Sequence, residues 1–510
     1  MRALFALLTL LACFSSLADA PQLFQKYCAE CHGRDRLGMT GPALLPESLE
    51  RLKKPEALTT VTDGRIATRM PNFGDKLSSD EIKALVDYVY TPLPEAPVWG
   101  DAEIRTSRIQ VHAPGSLPDH PAFHADLLNL FIVVETGDHH ATLLDGDTFE
   151  PIKRFPTRFA LHGGPKFSPD GRYVYFASRD GWVSKFDIWN LEYLAEIRVG
   201  INTRNIAVSS DGNYVMAANY LPHTVVVLDA ADLSLVKSIP AVDEKGQSSR
   251  VSAVYDAAPR KSFVVALKDV PELWEVSYDD NAAPIYPGLV HDYKMAEAIA
   301  ISGKLHPRRT PLENVLDDFF FDQGYVYLIG ASREGKGQVV NLDIRRKIAD
   351  LPLSGMPHLG SGITWEWRGR QVLATPNLKD GVVTVIDMQN WQVIKQIKTP
   401  GPGFFMRSHE NTRYAWTDAF NGAEKDELQL IDKQTLEIAA TVKPAPGKTA
   451  AHVEFTRDGK YALVSVWEND GALVVYDAAT LREIKRLPMK KPSGKYNVYN
   501  KITRSAGTSH

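Results

Sequence analysis

Two rhythms of apolar and polar positions divide this chain. Up to about residue 92 the legible pattern is helical. In "LSSDEIKALVDYVYTPL" the apolar residues Ile82, Leu85, Val86 and Val89 fall three or four apart, and Ser78 with Glu81 forms a capping box. After the Pro-rich connector "PLPEAPVWG" the spacing turns to two, which predicts strands. One phrase then recurs: an Asp-Gly turn, an alternating strand, a polar turn, a strand ending near Asp, a Thr/Leu turn and a last strand. It runs from Lys166 to Val199, from Ala207 to Ile239 and from Glu454 to Leu487, with weaker copies near Leu127 and Phe404. Strands repeating every ~40–50 residues predict a β-propeller, and about 380 residues at that period give seven or eight blades, of which we take eight. The pairs Asp170-Gly171, Asp211-Gly212 and Asp458-Gly459 read as blade hairpins, where glycine accepts a positive φ.

The first twenty residues follow neither rhythm. "MRALFALLTLLACFSSLADA" has Arg2, a short apolar run and then small residues, the pattern of a secretory signal peptide cut after Ala18 or Ala20. "LLAC" at Leu10–Cys13 can also be read as a lipoprotein box with Cys13 acylated. Either reading exports the chain, and we expect a periplasmic protein. No later stretch has the roughly 18 apolar residues of a membrane helix. Hydrophobic residues at 44% and charged ones at 24% suit a globular protein, and a formal net charge of −4 without a basic run gives nucleic acid no foothold.

Only Cys28 and Cys31 remain once the opening segment is set aside, in "YCAECHGRD". A zinc site needs about four ligands, and no second cysteine pair exists. A thioredoxin-like pair needs a strand before it, and nothing upstream of Gln22 supplies one. Cys-x-x-Cys-His is the c-type haem attachment pattern, with His32 as one axial ligand. The other axial position falls to Met39 in a Gly-rich loop or to Met70 before Pro71, unless the site is open or bis-His. Residues 21–92 resemble small class-I cytochromes c, in which a Met-Pro loop precedes the last helix, and this resemblance selects Met70. The domains expected are a signal peptide (1–20), a small all-α class-I cytochrome c domain (21–92), a linker (93–125) and an all-β eight-bladed β-propeller (126–510).

A cytochrome c domain followed by such a propeller resembles the cytochrome cd1 nitrite reductase family, whose propeller binds a second, non-covalent haem, haem d1. The similarity covers nearly the whole mature chain. Its most specific segment is "RFALHGGPKFSPDGRYVYFASRDG", which implies that His162 is the proximal ligand of the macrocycle iron. "PSGKYNVYN" and "VSVWENDGALVVYD" match family segments too. Arg179 in "SRDG" and Arg204 in "INTRNIAV" align with family arginines that could pair with the macrocycle's carboxylates. The family's two iron-facing histidines are only half retained: "MPHLGSG" supplies His358, but "ENVLDDFFF" has Asp317 where the second is expected. An ionised Asp repels nitrite and replaces imidazole poorly as a proton donor.

The resemblance therefore points to the family's biosynthetic branch, which completes haem d1 by turning one ring propionate of dihydro-haem d1 into an acrylate. It implies that His452 in "KTAAHVEF" and Tyr496 in "PSGKYNVYN" are the catalytic pair. His358 becomes a distal ligand, and covalent haem c takes up electrons. Trp365, Trp367 and Phe404 are candidates for the ring's surroundings. The partners implied are a periplasmic electron acceptor, nitrite reductase and other haem d1 maturation proteins, with the chain itself a monomer. Other readings are a nitrite reductase with an altered pocket, a non-catalytic haem d1 carrier, and an unrelated fusion to a quinoprotein-like propeller. No GxGxxG follows a strand, so no nicotinamide or flavin site is expected.

Overall fold

The computed structural model describes residues 19–39, 41–49, 52–64, 70–286 and 300–504. The expected signal peptide and the lipoprotein reading at Cys13 fall outside the described residues, apart from Asp19 and Ala20. The chain forms two compact units that part at Ala96/Pro97.

The first unit is helical: α1 (Ala20–Tyr27), α2 (Ala29–His32), α3 (Lys54–Asp63) and α4 (Ser79–Val89). The capping box read at Ser78 and Glu81 starts α4, with Ser78 Oγ accepting from Glu81 N and Glu81 Oε2 accepting from Ser78 N at 2.8 Å. The four apolar residues of its predicted stripe are all buried, and Ile82, Leu85 and Val89 pack with Phe24, Leu49 and Phe73. Arg36 ties the loop after α2 to the end of α4. Its guanidinium donates to the carbonyls of Tyr88 (2.6 Å) and Thr91 (2.9 Å) and lies 4.6 Å from the Tyr88 ring centroid.

The second unit is a propeller of eight antiparallel sheets, each of four strands with one carrying a fifth. Six of its strand ends share one turn. Asp145, Asp187, Asp229, Asp387, Asp432 and Asp477 each accept with Oδ1 the N–H two residues on. The residue four further on, in order Phe149, Leu191, Leu233, Trp391, Leu436 and Leu481, bonds back to the Asp carbonyl with φ between 56° and 61°. The Asp cap and the partial or full burial of the apolar side chain hold these non-glycine residues in the left-handed region. This turn is what the repeated "strand ending near Asp" encodes.

The fifth strand corrects the linker expected over 93–125. Ile109–Gln110 pairs with Ala195 and Glu196, and the helix Asp101–Thr106 buries Ile104 against the same sheet. Trp99 donates its indole N–H to Arg198 O at 3.0 Å. Residues from Pro97 onward thus belong to the propeller unit, because apolar Ile104 and Trp99 find a surface there.

Seven sheets run in chain order from the inner strand outward. The eighth is closed by the end of the chain, where Pro492–Asn497 becomes the inner strand beside Leu130–Glu135 (Tyr496 opposite Ile132). The inner strands are Lys166–Phe167, Asn202–Val208, Val251–Ala257, Asp318–Phe321, Ile363–Trp367, Met406–Arg407, Ala450–Phe455 and Pro492–Asn497. They share one direction around the propeller axis, so the loops that lead into them share one face.

Candidate functional site

In the helical unit, Cys28 and Cys31 flank the start of α2 as free thiols. Burial and the neighbouring Cys31 push the Cys28 thiol up to about 11. His32 is 7% exposed, and its Nδ1 lies 2.8 Å from Pro42 O. Nδ1 donates there, so Nε2 keeps its lone pair, the form an axial ligand requires. The chain is built around this ring: a Cβ at Gly41 would stand 2.8 Å from Cε1. Met70 packs in the apolar cluster that includes Cys28, whereas Met39 is 56% exposed. Free thiols, a fixed imidazole and a half-buried thioether fit a covalent haem with His32 and Met70 as its ligands.

In the propeller, almost every candidate residue stands on an inner strand or in the loop leading into one. His162 precedes Lys166–Phe167 and bonds through Nδ1 to Arg204 O at 2.6 Å. Nε2 again carries the lone pair, and the Arg204 guanidinium reaches it in this chain. Gly163 and Gly164 follow with φ of +78° and +69°. A Cβ would strike Asn205 from the first and the Tyr496 ring from the second, so only this glycine pair lets the loop carrying His162 lie against both. Arg179 bonds through its main-chain N–H to Ala160 O, beside the same loop.

His358 leads into Ile363–Trp367. Its Nδ1 donates to Phe404 O at 2.6 Å, and its ring centroid lies 4.4 Å from that of Phe404. Phe404, Phe405, Phe420 and Trp467 form a continuous aromatic wall, with centroids 4.5 to 6.0 Å apart. Of the three aromatic candidates from the sequence, Phe404 belongs to this wall, whereas the indoles of Trp365 and Trp367 bond to the carbonyls of Lys433 and Gln434 in the neighbouring sheet.

The carboxylate that approaches His358 is Asp318 rather than Asp317. Asp317 pairs with Lys268 and, at 2.9 Å, with Arg333, and those cations hold its carboxyl below the usual range despite burial. Asp318 accepts from Tyr255 Oη at 2.8 Å, and burial raises its carboxyl while His358, Arg204 and Tyr255 oppose that rise. Gly360 lies over it so closely that a Cβ would sit 1.9 Å from Oδ2. Strand register decides which of two adjacent aspartates turns inward, and the sequence does not reveal it.

His452 and Tyr496 meet, with ring centroids 5.2 Å apart at 65°. His452 is 2% exposed, and its Nδ1 has no hydrogen-bond partner. It is the extra residue of a bulge between Ala451 and Val453, with φ of +49°. Burial, then Lys495, Arg407 and Lys501, hold the imidazole well below its ordinary pKa, so it is neutral and able to accept a proton. Burial pushes the Tyr496 phenol up to about 12, so it keeps its proton. A Cβ at Gly494 would stand 2.6 Å from the Tyr496 hydroxyl.

Beside this pair the structure collects cations that sequence reasoning missed. Lys166, lowered to about 8 by burial and facing Asp318, joins Arg407, Lys495 and Lys501, all three also depressed by burial and gathered about Glu454. Arg407 Nε and Glu454 Oε2 face each other at 4.0 Å without a hydrogen bond. A buried excess of positive charge against an aromatic wall suits a flat ligand bearing several carboxylates. Lys166, Lys495 and Arg407 stand on three different inner strands and Lys501 in the last helix, so no local motif announces them.

An inward-facing imidazole pair, an aromatic wall and a cationic patch inside an eight-bladed propeller define a class. The cytochrome D1 heme domain model matches residues 125–297 and 289–501, and the chain belongs to that family. The model of cytochrome c oxidase, cbb3-type, subunit III matches residues 15–89. Within the family, the chain is 57% identical over 99% of both lengths to the dihydro-haem d1 dehydrogenase of Pseudomonas aeruginosa. It superposes with a TM-score of 0.89 on a solved structure of dihydro-haem d1 dehydrogenase NirN in complex with DHE, at 57% identity, covering 95% of this chain and 99% of that one. A nitrite reductase of Stutzerimonas stutzeri stands further off, at 25% identity over 94% of this chain and 92% of its own.

Proposed function

We propose that this protein is a dihydro-haem d1 dehydrogenase that completes haem d1 by oxidising one ring propionate to an acrylate. The observation that carries the reading is the His452–Tyr496 pair: a buried neutral imidazole with an unpartnered Nδ1, packed edge-on against a protonated phenol. The balance is –CH2–CH2–COO⁻ going to –CH=CH–COO⁻ with release of two protons and two electrons. His452 accepts a proton from the propionate chain, and Tyr496 orients the group by its hydroxyl. Lys166, Arg407 and Arg204 hold ring carboxylates, while His162 and His358 present Nε2 to the substrate's iron from its two sides.

Haem c, held by Cys28, Cys31, His32 and Met70, supplies a one-electron acceptor, and the substrate's own iron is the second. A covalent electron acceptor has no use in a mere carrier. We also assign the protein to the periplasm on the strength of its opening segment, as a monomer that passes electrons to a periplasmic acceptor and its product toward nitrite reductase and other maturation proteins.

The test is to mix purified holoprotein with dihydro-haem d1 and an electron acceptor and follow the pigment by absorption and mass. His452→Ala is expected to bind the pigment and release it two hydrogens too heavy. Equal loss of binding and turnover in that variant would make His452 structural and overturn the reading.

A further inference from the structure

His452 is gripped through its main chain by buried charged side chains from the blades on either side. Lys495 precedes Tyr496 on Pro492–Asn497, so strand alternation sends the two side chains to opposite faces. Its side chain is 0% exposed, and its ammonium donates to His452 O and, at 2.7 Å, to Ser465 Oγ. From the other neighbouring blade the carboxyl of Asp418, 1% exposed, faces the main-chain N–H of His452. The same carboxylate accepts from Phe404 N at 2.6 Å and Phe405 N at 3.2 Å. The carbonyl of a bulged residue in the left-handed region is thus satisfied by an ionisable side chain, where a regular strand would use its neighbour's backbone, and Phe405, which Asp418 holds, packs its ring 4.8 Å from that of His452.

We propose that Lys495 and Asp418 are positioning residues for the dehydrogenation, clamping the His452 bulge so that its imidazole faces Tyr496 and the substrate. This rests on the reading of His452 as the base. The placement is economical in sequence: adjacent residues of one strand carry the phenol and the anchor of the imidazole, so their separation is fixed by a single peptide unit. Asp418 extends the same control to the distal side, because the Phe404 it holds is the acceptor for His358.

The groups that face His452 are Lys495, Arg407 and Lys501 on the positive side, the Glu454 carboxylate on the negative, the Asp418 carboxyl, raised to about 7 by burial, and the neutral Tyr496. Removing the Lys495 cation shifts that balance toward the protonated imidazole. Lys495→Met keeps the side chain's length while removing both donor and charge.

The experiment compares holoprotein of the wild type, Lys495→Met, Lys495→Gln, Asp418→Asn and His452→Ala, reading kcat, pigment Kd by absorption and the pH–rate profile. Lys495→Met is expected to lower kcat by about 10–100-fold, the scale of a misplaced catalytic group, with Kd within about twofold. The acid limb of its profile moves to higher pH, since turnover needs neutral imidazole. Lys495→Gln, which restores a donor without the charge, recovers part of kcat but keeps the displaced limb. Should Lys495→Met fail to fold, Asp418→Asn carries the test, with a fall in kcat at unchanged Kd. A wild-type kcat and limb in Lys495→Met, or a parallel loss of Kd and kcat in both Lys495→Met and Asp418→Asn, overturns the clamp. Full turnover by His452→Ala would instead overturn the base assignment itself, so the two failures are told apart.

Discussion

The histidines proposed as iron ligands and the histidine at the cationic end of the propeller are held in opposite ways. His32, His162 and His358 each fix Nδ1 on a main-chain carbonyl 10, 42 and 46 residues away, at 2.8, 2.6 and 2.6 Å. His452 has no such bond; its backbone is clamped and its Nδ1 is left bare. A ligand must present one nitrogen at one angle, so a hydrogen bond that settles the tautomer serves it. A base must gain and lose a proton, and a permanent donor–acceptor bond at the ring would hinder that. On the proposed reading the same side chain serves two trades, and the partner of Nδ1 tells them apart.

The largest expected effect breaks the pair at its centre. His452→Ala should lower kcat for acrylate formation by about 1000-fold, within the range of a lost general base, with pigment affinity nearly unchanged. Stopped-flow absorption after mixing with dihydro-haem d1 measures both. His162→Ala should behave in the reverse sense. With a first ligand removed, pigment affinity should fall by about 100-fold or more, and the axial-ligand bands of the bound pigment should shift. Turnover at saturating pigment should suffer less than in His452→Ala. If both variants lost affinity alone, the division between ligand and base would collapse.

The histidines proposed as ligands were far more legible in the sequence than the surroundings of the proposed base. Cys28, Cys31 and His32 stand in one short motif, and His162 and His358 sit in loops next to recognisable hairpin and glycine phrases. The blades were legible for a similar reason: one capped Asp turn with a left-handed apolar residue recurs, and each copy is local. The cationic patch is not local. Lys166, Arg407 and Lys495 come from three inner strands, 241 and 88 residues apart along the chain, and each looks like an ordinary surface residue of a two-period strand. The bulge at His452 was hidden too, because "AAHVEF" alternates as plausibly with the extra residue as without it. Asp317 and Asp318 mark the same limit at one-residue scale.

A smaller effect sharpens the cationic side. Lys166→Met removes a buried charge, lowered to about 8, from the patch while touching neither histidine trade. Pigment affinity should fall by about 10-fold, the worth of one charge-assisted hydrogen bond. kcat at saturation and the pH–rate limb of His452 should stay put. Titration of each variant with the pigment separates the outcomes, and an unchanged affinity would remove Lys166 from carboxylate recognition.

The smallest effect is on stability against pH, and its sign follows from burial. Desolvation lowers the pKa of both His452 and His358 below 6.5 in the folded chain. Below that value the unfolded chain binds protons that the folded chain refuses, so their contribution to stability is complete above pH 6.5 and is lost as pH falls toward the folded values. Asp418, raised to about 7, acts the other way: its folded carboxyl stays protonated after the unfolded one has ionised near 3.8, so its contribution is present in acid and lost as pH rises through 7. His452→Gln removes one acid-sensitive group and should narrow the drop in Tm between pH 7 and pH 5 by about 1–2 °C. Asp418→Asn should deepen the acid drop, because the term that favoured the folded state in acid is gone. Differential scanning calorimetry of the full chain at the two pH values reads both. An identical acid drop in wild type and His452→Gln would mean that the imidazole is charged in the folded protein, and a charged imidazole cannot be the base.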